Sequence, residues 1–139
     1  MNDQSFDFFQ DHSLHYLEMA LRTDRAEPIA QPDGHGIKTG DCGDTVEFFI
    51  STAGDRIRQM GYHTDGCINT NACANTVVQL AEGKTLDEAW EITPDDVAGY
   101  LETLPEGHFH CAELAVGAFY IALADLRETA QKPWKKLYR

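Results

Sequence analysis

Apolar residues recur at helical spacing over two long stretches in the second half of the chain. Residues 69–82 and 111–131 each place four apolar side chains on one stripe, which predicts two helices. Gly83 follows the first stretch, and glycine is common just beyond a helix end. The stripes consist of Cys73, Val77, Leu80 and Ala81 in the first helix and of Ala115, Phe119, Ala122 and Leu126 in the second.

Two short helices are predicted between these long ones from their capping residues. Thr85 and Glu88 have the spacing of a capping box. Thr93 followed by Pro94 supplies a cap and a proline at the first helical position, which predicts a helix over the run DDVAGYLETL.

The amino-terminal part of the chain predicts one helix followed by a loop. Residues 6–22 carry Leu14, Leu17 and Leu21 at helical spacing. Residues 24–41 are rich in Pro, Gly, Asp and Gln, which is typical of a long irregular loop.

The middle of the chain predicts a small antiparallel sheet. Residues 44–52 and 56–64 are rich in β-branched and aromatic residues and are separated by the turn-forming run AGD. Gly61 is a candidate bulge that would divide the second stretch, giving about three strands. The fold class is therefore α+β, a small sheet packed against a block of helices, and 139 residues suit a single domain over 1–139.

Charge and composition exclude several classes of function. The net charge of −12 argues against nucleic acid and anionic membrane surfaces as partners. No run approaches the about 18 apolar residues of a membrane span, and the start MNDQSFDFFQDHS lacks the regions of a secretory signal. We therefore expect a cytoplasmic protein, whose four cysteines bind metal or react rather than form disulfides.

The carboxyl-terminal tail is basic and partly apolar. It either docks on an acidic partner or is the solvated end of a helix. Its basic residues are Lys132, Lys135, Lys136 and Arg139, and its large apolar residues are Trp134, Leu137 and Tyr138.

The cysteines lack the spacing of the common local metal motifs. No C-x-x-C is present, so zinc-finger and ferredoxin spacings do not fit, and a site would have to come from distant segments. Cys42 lies between glycines in the run GDCGD, whereas Cys67 and Cys111 lie where helices are predicted to begin. Helix N-termini stabilise thiolates, and glycine beside a thiol leaves room for a bulky group on sulfur. Cys73 lies on an apolar stripe and is predicted to be a core residue.

Asp44 and His110 are candidates to complete a mixed set of metal ligands. Asp44 lies two residues after Cys42, so the two side chains are expected to point the same way along a strand. A carboxylate beside thiols suits iron or zinc. Each residue also has a simpler explanation, Asp44 as a turn former and His110 as a helix-start cap. The candidate ligands are Cys42, Asp44, Cys67, His110 and Cys111.

The ordered motifs GDCGD, DGC, LAEGKTLDEA and HC, spread over about residues 40–127, resemble the iron–sulfur cluster scaffold family of the IscU and NifU amino-terminal type. The resemblance implies a [2Fe–2S] cluster assembled on Cys42, Cys67 and Cys111 and passed to apo iron–sulfur proteins. It implies that Asp44 keeps the cluster labile and that His110 lies at the site. The chain would then be a carrier, not an enzyme.

The resemblance also implies partners. Sulfur would arrive as a persulfide from a cysteine desulfurase, with Cys111 and Cys42 as candidate acceptors, and iron would come from a separate donor. The scaffold core would cover 40–127, between a divergent helix and loop over 1–39 and the basic tail over 128–139. Residues 104–109 keep only the Leu-Pro of the family's L-P-P-V-K segment, which argues against an Hsp70-type chaperone as a partner. The family's N-P-R-N-V-G segment is missing near residues 25–36.

Two alternatives remain open. Some relatives hold zinc and act as sulfur acceptors that activate a desulfurase, but they usually carry an insertion between the second and third cysteines and lack the histidine. Zinc could also fill the cluster site itself. A Cys/His nucleophilic enzyme would need His63 or His108, because the adjacent His110 and Cys111 point about 100° apart on a helix.

Overall fold

The computed structural model describes residues 11–138, and its helices occupy most of the second half of the chain. The α-helices are α1 (Leu14–Leu21), α2 (Ile68–Ala81), α3 (Leu86–Ala89), α4 (Pro94–Leu101) and α5 (Phe109–Gln131), with 3₁₀ turns at Glu106–His108 and Pro133–Tyr138.

The sheet in the described residues has three antiparallel strands, which agrees with the expected number and confirms the α+β class, although the additional strand precedes Cys42 and does not come from a division of 56–64. Strands β1 (Gly34–Thr39), β2 (Thr45–Ala53) and β3 (Arg56–Asp65) follow one another in space in the order β1-β2-β3. The hairpin from β2 to β3 was predicted, and its turn contains Gly54 with a φ of 64°. Val46, Phe48 and Ile50 of β2 point into the core.

The prediction of an irregular loop over 24–41 is wrong for residues 34–39, which form β1. The glycines that indicated a loop are instead required by contact with α5. A β-carbon at Gly36 would lie 2.4 Å from the backbone nitrogen of Ala122, and one at Gly34 would lie 2.6 Å from the Ala122 carbonyl oxygen. Glycine at both positions therefore lets β1 pack directly on the backbone of α5.

The bulge predicted at Gly61 is also wrong. The sheet register shifts between Ser51 and Thr52 of β2 instead. At Gly61 the backbone of Glu27 crosses the strand so closely that a β-carbon would lie 2.1 Å from the Glu27 carbonyl oxygen. The segment before β1 is held there by a 2.9 Å hydrogen bond from the Tyr62 N–H to the Arg25 carbonyl.

The amino-terminal helix differs from the prediction over 6–22. Residues 6–10 lie outside the described part of the chain. Ser13 has extended backbone, with φ −67° and ψ 162°, and its hydroxyl accepts from the Tyr16 N–H, so α1 begins at Leu14. The leucine stripe is not its core face, because Leu14 is 82% and Leu21 56% exposed. The buried residues of α1 are Tyr16, Met19 and Ala20.

The remaining helices confirm the sequence patterns. The Thr85 capping box is formed, and Thr93 caps α4 together with Asp96. Helix α5 starts two residues earlier than predicted and packs against β1, β2, α2 and α4. By length and hydropathy alone the segment Glu106–Gln131 could cross a membrane, but 56% of its apolar window is buried inside this domain, as in the central helix of a globular core.

The basic tail folds back onto the domain as a 3₁₀ turn. Lys135 Nζ lies 3.0 Å from Glu128 Oε1, and Lys136 Nζ lies 2.9 Å from Asp33 Oδ1. Trp134 and Leu137 remain 60% and 71% exposed. Docking of this tail on an acidic partner stays a prediction.

Candidate metal centre

Cys42 lies in the loop that joins β1 to β2. A hydrogen bond of 2.9 Å from the Gly40 N–H to the Asp44 carbonyl closes this loop, and a second of 3.0 Å links Gly43 to Gly40. Gly43 has a φ of 90°, a left-handed value that favours glycine. The glycines of GDCGD therefore shape a tight hairpin whose tip exposes the Cys42 thiol.

Cys67 lies immediately before α2, where the sequence predicts the start of a helix. It occupies the N-cap, and its side chain is exposed. Burial of its sulfur by itself raises the thiol pKa, but the nearby Thr70 N–H, the Thr70 hydroxyl and the Asn69 N–H outweigh this effect. The pKa of Cys67 is therefore lower than that of an ordinary thiol.

Cys111 lies in the first turn of α5 and, unlike Cys67, is 0% exposed. Burial raises the pKa of its thiol to about 11, with further increases from the charges of Cys67, Asp44 and Cys42, although the Thr70 hydroxyl opposes the shift. The helix start does not lower this pKa, because the cost of burying a thiolate is larger.

Thr70 brings Asp44 to these two thiols. The Thr70 hydroxyl donates to Asp44 Oδ2 at 2.6 Å, and its oxygen lies 3.6 Å from Cys111 Sγ and 3.7 Å from Cys67 Sγ. Sequence reasoning missed Thr70, since a lone threonine in the first turn of a helix is unremarkable. Its position three residues after Cys67 was the available signal.

Two histidines approach Cys111. His110 Nε2 lies 3.7 Å and His108 Nδ1 lies 3.9 Å from Cys111 Sγ. The expectation that adjacency keeps His110 away from Cys111 is wrong, because the imidazole ring is long enough to reach back. The ligand atoms of Cys67, His108 and Cys111 all lie within 4.8 Å of one another. His108 was considered only as a partner for a nucleophilic cysteine.

The other two candidate ligands lie at the rim of this group. His110 and Cys42 both line an open cavity of about 510 Å³, together with Lys38 and Glu113. Within residues 11–138, the group of at least three close ligand atoms contains neither of them. The structure therefore gathers Cys67, His108 and Cys111 tightly, links Asp44 to them through Thr70, and leaves Cys42 and His110 beside them.

The sequence profile of the NifU-like N terminal domain matches residues 28–133, well over half of the chain. The chain belongs to this family. The resemblance first noted in the cysteine motifs is thereby confirmed.

Individual relatives of this NifU-like domain are described as scaffolds. The chain is 36% identical over 98 residues to the iron-sulfur cluster assembly scaffold protein IscU 1 of Archaeoglobus fulgidus, covering 70% of this chain and 64% of that protein. It is also 36% identical over 87 residues to IscU of Escherichia coli, covering 62% and 67%. The chain thus spans slightly less than two thirds of the archaeal protein.

The fold of the NifU-like domain agrees with a solved structure. The amino-terminal part of a nitrogen-fixing NifU-like protein from Brucella abortus superposes with a TM-score of 0.70 at 17% identity, covering 88% of this chain and 99% of that one. This likeness confirms the expected arrangement of a three-stranded sheet packed with helices.

The donor atoms of the NifU-like domain suit iron or zinc. Thiolates and imidazole are ligands for both metals, and a carboxylate adds a harder oxygen donor. The fourth cysteine of the domain, Cys73, is 0% exposed, and burial raises its pKa far above that of an ordinary thiol. Cys73 is therefore a core residue, as its stripe predicted.

Proposed function

We propose that this NifU-like domain is a scaffold that assembles a [2Fe–2S] cluster and passes it to apo iron–sulfur proteins. The observation that carries the proposal is the convergence of Cys67, Cys111 and His108 within 4.8 Å, next to a hairpin tip that exposes Cys42. Cys111 is buried at one side of the site, and Cys42 is exposed at the other. This arrangement suits a carrier that must both assemble a cluster and release it. The cluster is cargo rather than a resident cofactor.

Cys42, Asp44, Cys67 and Cys111 are the proposed ligands, with His110 or His108 as the nitrogen donor. His108 is supported by its place among the closely spaced donor atoms. His110 is supported by its 3.7 Å approach to Cys111 Sγ. Separate alanine substitutions of the two histidines distinguish these assignments.

Sulfur delivery favours Cys42 over Cys111 as the first persulfide acceptor. Cys42 is exposed, whereas Cys111 is buried and its pKa is raised to about 11, so little thiolate is available there. In the transfer, the acceptor thiolate attacks the terminal sulfur of a desulfurase persulfide. The S–S bond of the donor breaks, the donor cysteine leaves as a thiolate, and Cys42 carries the persulfide.

Further partners follow from the same role. A cysteine desulfurase supplies sulfur, a separate donor supplies iron, and apo iron–sulfur proteins receive the cluster, all in the cytoplasm. An Hsp70-type chaperone is not included, because only Leu104 and Pro105 remain of the segment it would recognise.

Anaerobic reconstitution tests the proposal. The full chain is incubated with ferrous iron, cysteine and a cysteine desulfurase, and visible spectra are combined with iron and sulfide analysis. Sulfide-to-iron charge-transfer bands and about two irons with two sulfides per cluster are expected. Serine substitution of Cys42, Cys67 or Cys111 should each prevent assembly. A chain that stays colourless would contradict the scaffold role.

A zinc-binding sulfur acceptor that activates a desulfurase is the second candidate. The compact spacing of Cys67, His108 and Cys111 favours it, because three donors within 4.8 Å match one tetrahedral ion. A purified chain that holds one tight zinc, stays colourless in reconstitution and accelerates the desulfurase would support this alternative. A Cys/His nucleophilic enzyme is less favoured, since the cysteine nearest the histidines is buried with a raised pKa.

A further inference from the structure

Thr70 has a hydroxyl directed at ligands rather than at its own helix. It is the third residue of α2, three positions after the N-cap Cys67, and it is 0% exposed. A buried threonine inside a helix can satisfy its hydroxyl on the carbonyl four residues earlier. Thr76 of the same helix does so, donating to the Ala72 carbonyl at 2.7 Å. Thr70 donates instead to Asp44 Oδ2, which is 26 residues away in the chain.

The geometry of Thr70 allows one strong donation. A hydroxyl has a single hydrogen and two acceptor lone pairs. The 2.6 Å distance to Asp44 is short, as expected for a donor facing a carboxylate, and the two sulfurs are farther away at 3.6 and 3.7 Å. The hydrogen therefore points to Asp44, while Cys67 and Cys111 lie beside the same oxygen.

A second contact, with Gly66, restricts the position of the Asp44 carboxylate. A β-carbon at Gly66 would lie 2.7 Å from both Cγ and Oδ2 of Asp44, so the carboxylate fills the space that this glycine leaves open. The Thr70 hydroxyl and the open space at Gly66 together fix the position of this carboxylate.

We propose that Thr70 is a positioning residue that holds Asp44 beside Cys67 and Cys111, in the orientation in which its carboxylate joins them as a metal ligand. This inference rests on the proposed function in so far as Asp44 is a ligand. Hydrogen-bond partners that orient a ligand typically contribute 10- to 100-fold to metal affinity. The hydroxyl of Thr70, not its methyl group, carries this contribution.

Cobalt(II) binding to the metal-free full chain tests the inference without any cluster. Sulfur-to-cobalt charge-transfer absorbance reports binding, and competition with a chelator gives the affinity. Thr70→Val keeps the shape of the side chain but removes the hydroxyl, and it should weaken Co²⁺ about 10- to 100-fold. Thr70→Ser should restore the wild-type affinity. Thr76→Val, which deletes an equally buried hydroxyl on the same helix, should leave the affinity unchanged.

Repeating Thr70→Val in a chain that also carries Asp44→Ala distinguishes an effect through Asp44 from a general disturbance of the metal site. If Thr70 acts through Asp44, Thr70→Val should have little further effect on Co²⁺ affinity once the carboxylate is gone. The inference would be overturned by an equal loss in both backgrounds, or by no loss when Thr70→Val is made in the wild-type chain. Failure of Thr70→Ser to restore binding, or no Co²⁺ binding by the wild-type chain, would also overturn it. Should Thr70→Val not fold, Thr70→Ala supplies the same comparison.

Failure of this inference and failure of the scaffold role give different results. A wild-type chain that assembles a [2Fe–2S] cluster but shows no coupling between Thr70 and Asp44 overturns the positioning role alone. A chain that shows the coupling with Co²⁺ but assembles no cluster overturns the scaffold role alone.

Discussion

The carboxylate of Asp44 fills the space in which a side chain on Gly66 would lie, because a β-carbon there would be only 2.7 Å from Asp44 Oδ2. Gly66 is not among the glycines with positive φ. Glycine is therefore required at this position to leave room for Asp44 and not to allow an unusual backbone conformation. The glycine before Cys67 and the aspartate after Cys42 are two parts of one arrangement.

Gly66→Ala should displace Asp44 and weaken metal binding. The added methyl group meets the carboxylate, so Asp44 must move away from Thr70 and from the two nearby thiols. We expect Co²⁺ affinity to fall about tenfold or more, as when the orientation of a metal ligand is lost. Chelator competition measures this change.

The matched control for Gly66→Ala is Gly99→Ala in α4. No atom lies within 4 Å of a β-carbon at Gly99, so alanine fits there without displacing anything. Because alanine favours helix, the control should raise the free energy of unfolding by about 0.5–1 kcal/mol and leave Co²⁺ affinity unchanged. Wild-type metal affinity in Gly66→Ala would show that Asp44 does not depend on this space.

The thiols of Cys67 and Cys111 should differ in the pH at which they react. The pKa of Cys67 is lowered, so its thiolate persists to lower pH than that of an ordinary thiol. The pKa of Cys111 is raised to about 11 and its sulfur is buried, so its thiolate is scarce until high pH. Iodoacetamide labelling of the reduced, metal-free chain across a pH series, read by peptide mass spectrometry, measures both. The prediction would be contradicted if iodoacetamide labelled Cys67 only at a higher pH than it labels a cysteine in an unstructured peptide.

Asp33 should stabilise the fold in a pH-dependent way by anchoring the basic tail. Burial raises the pKa of Asp33, but Lys136 and the Thr52 N–H and hydroxyl outweigh burial and lower it overall. Because the folded pKa is depressed, this stabilisation is present above the unfolded-state pKa and is lost as pH falls through the folded pKa. Asp33→Asn should therefore lower the free energy of unfolding by about 1–2 kcal/mol near neutral pH.

Urea unfolding over a pH series checks the role of Asp33. The difference between wild type and Asp33→Asn should close as the pH falls below the folded pKa of the aspartate. The partly exposed Lys136 limits the ion-pair share of the effect, so most of it should come from the two contacts with Thr52. Asp55→Asn, in the exposed turn between β2 and β3, is the control. If the difference in free energy of unfolding between wild type and Asp33→Asn grew as the pH fell, the ionised Asp33 carboxylate would not be its source.

Features fixed by neighbouring residues were predictable from the sequence. The Thr85 capping box depends on residues three apart, and the helix starts at Cys67 and near Cys111 follow from local signals. These signals were enough to place two thiols at helix starts and to indicate a site assembled from distant segments.

Features fixed by distant contacts were missed. Gly34 and Gly36 look like loop residues until α5 is packed on them, and Gly61 looks like a bulge until Glu27 crosses it. The spacing of Thr70 from Cys67 indicates a contact with that thiol at most, because its partner Asp44 belongs to a different part of the chain. In each case the residue type is explained by an atom that the chain brings near only on folding.

Cys73 should be dispensable for cluster assembly although it is close enough to the site to feel the charges of Cys67 and Cys111. It is fully buried, and a serine there places a hydroxyl in an apolar setting. Cys73→Ser should lower the free energy of unfolding by about 1–3 kcal/mol. It should still reconstitute with wild-type iron and sulfide content. Loss of the cluster in a folded Cys73→Ser chain would overturn the core assignment and make Cys73 a ligand.

Asp44→Ala should lengthen the lifetime of the reconstituted cluster in air, if the role of Asp44 in the scaffold is to keep the cluster labile. A carboxylate is a harder donor than a thiolate and is a poorer match to a sulfur-rich iron site, so it is the ligand expected to yield first. Asp41→Ala removes the same charge from the same hairpin loop, one residue before Cys42, without removing the carboxylate that Thr70 holds. Decay of visible absorbance after exposure to air should therefore slow in Asp44→Ala and remain at the wild-type rate in Asp41→Ala. Equal slowing in both variants would attribute the effect to the charge of the loop. An unchanged or shorter cluster lifetime in Asp44→Ala would show that Asp44 does not promote release of the cluster.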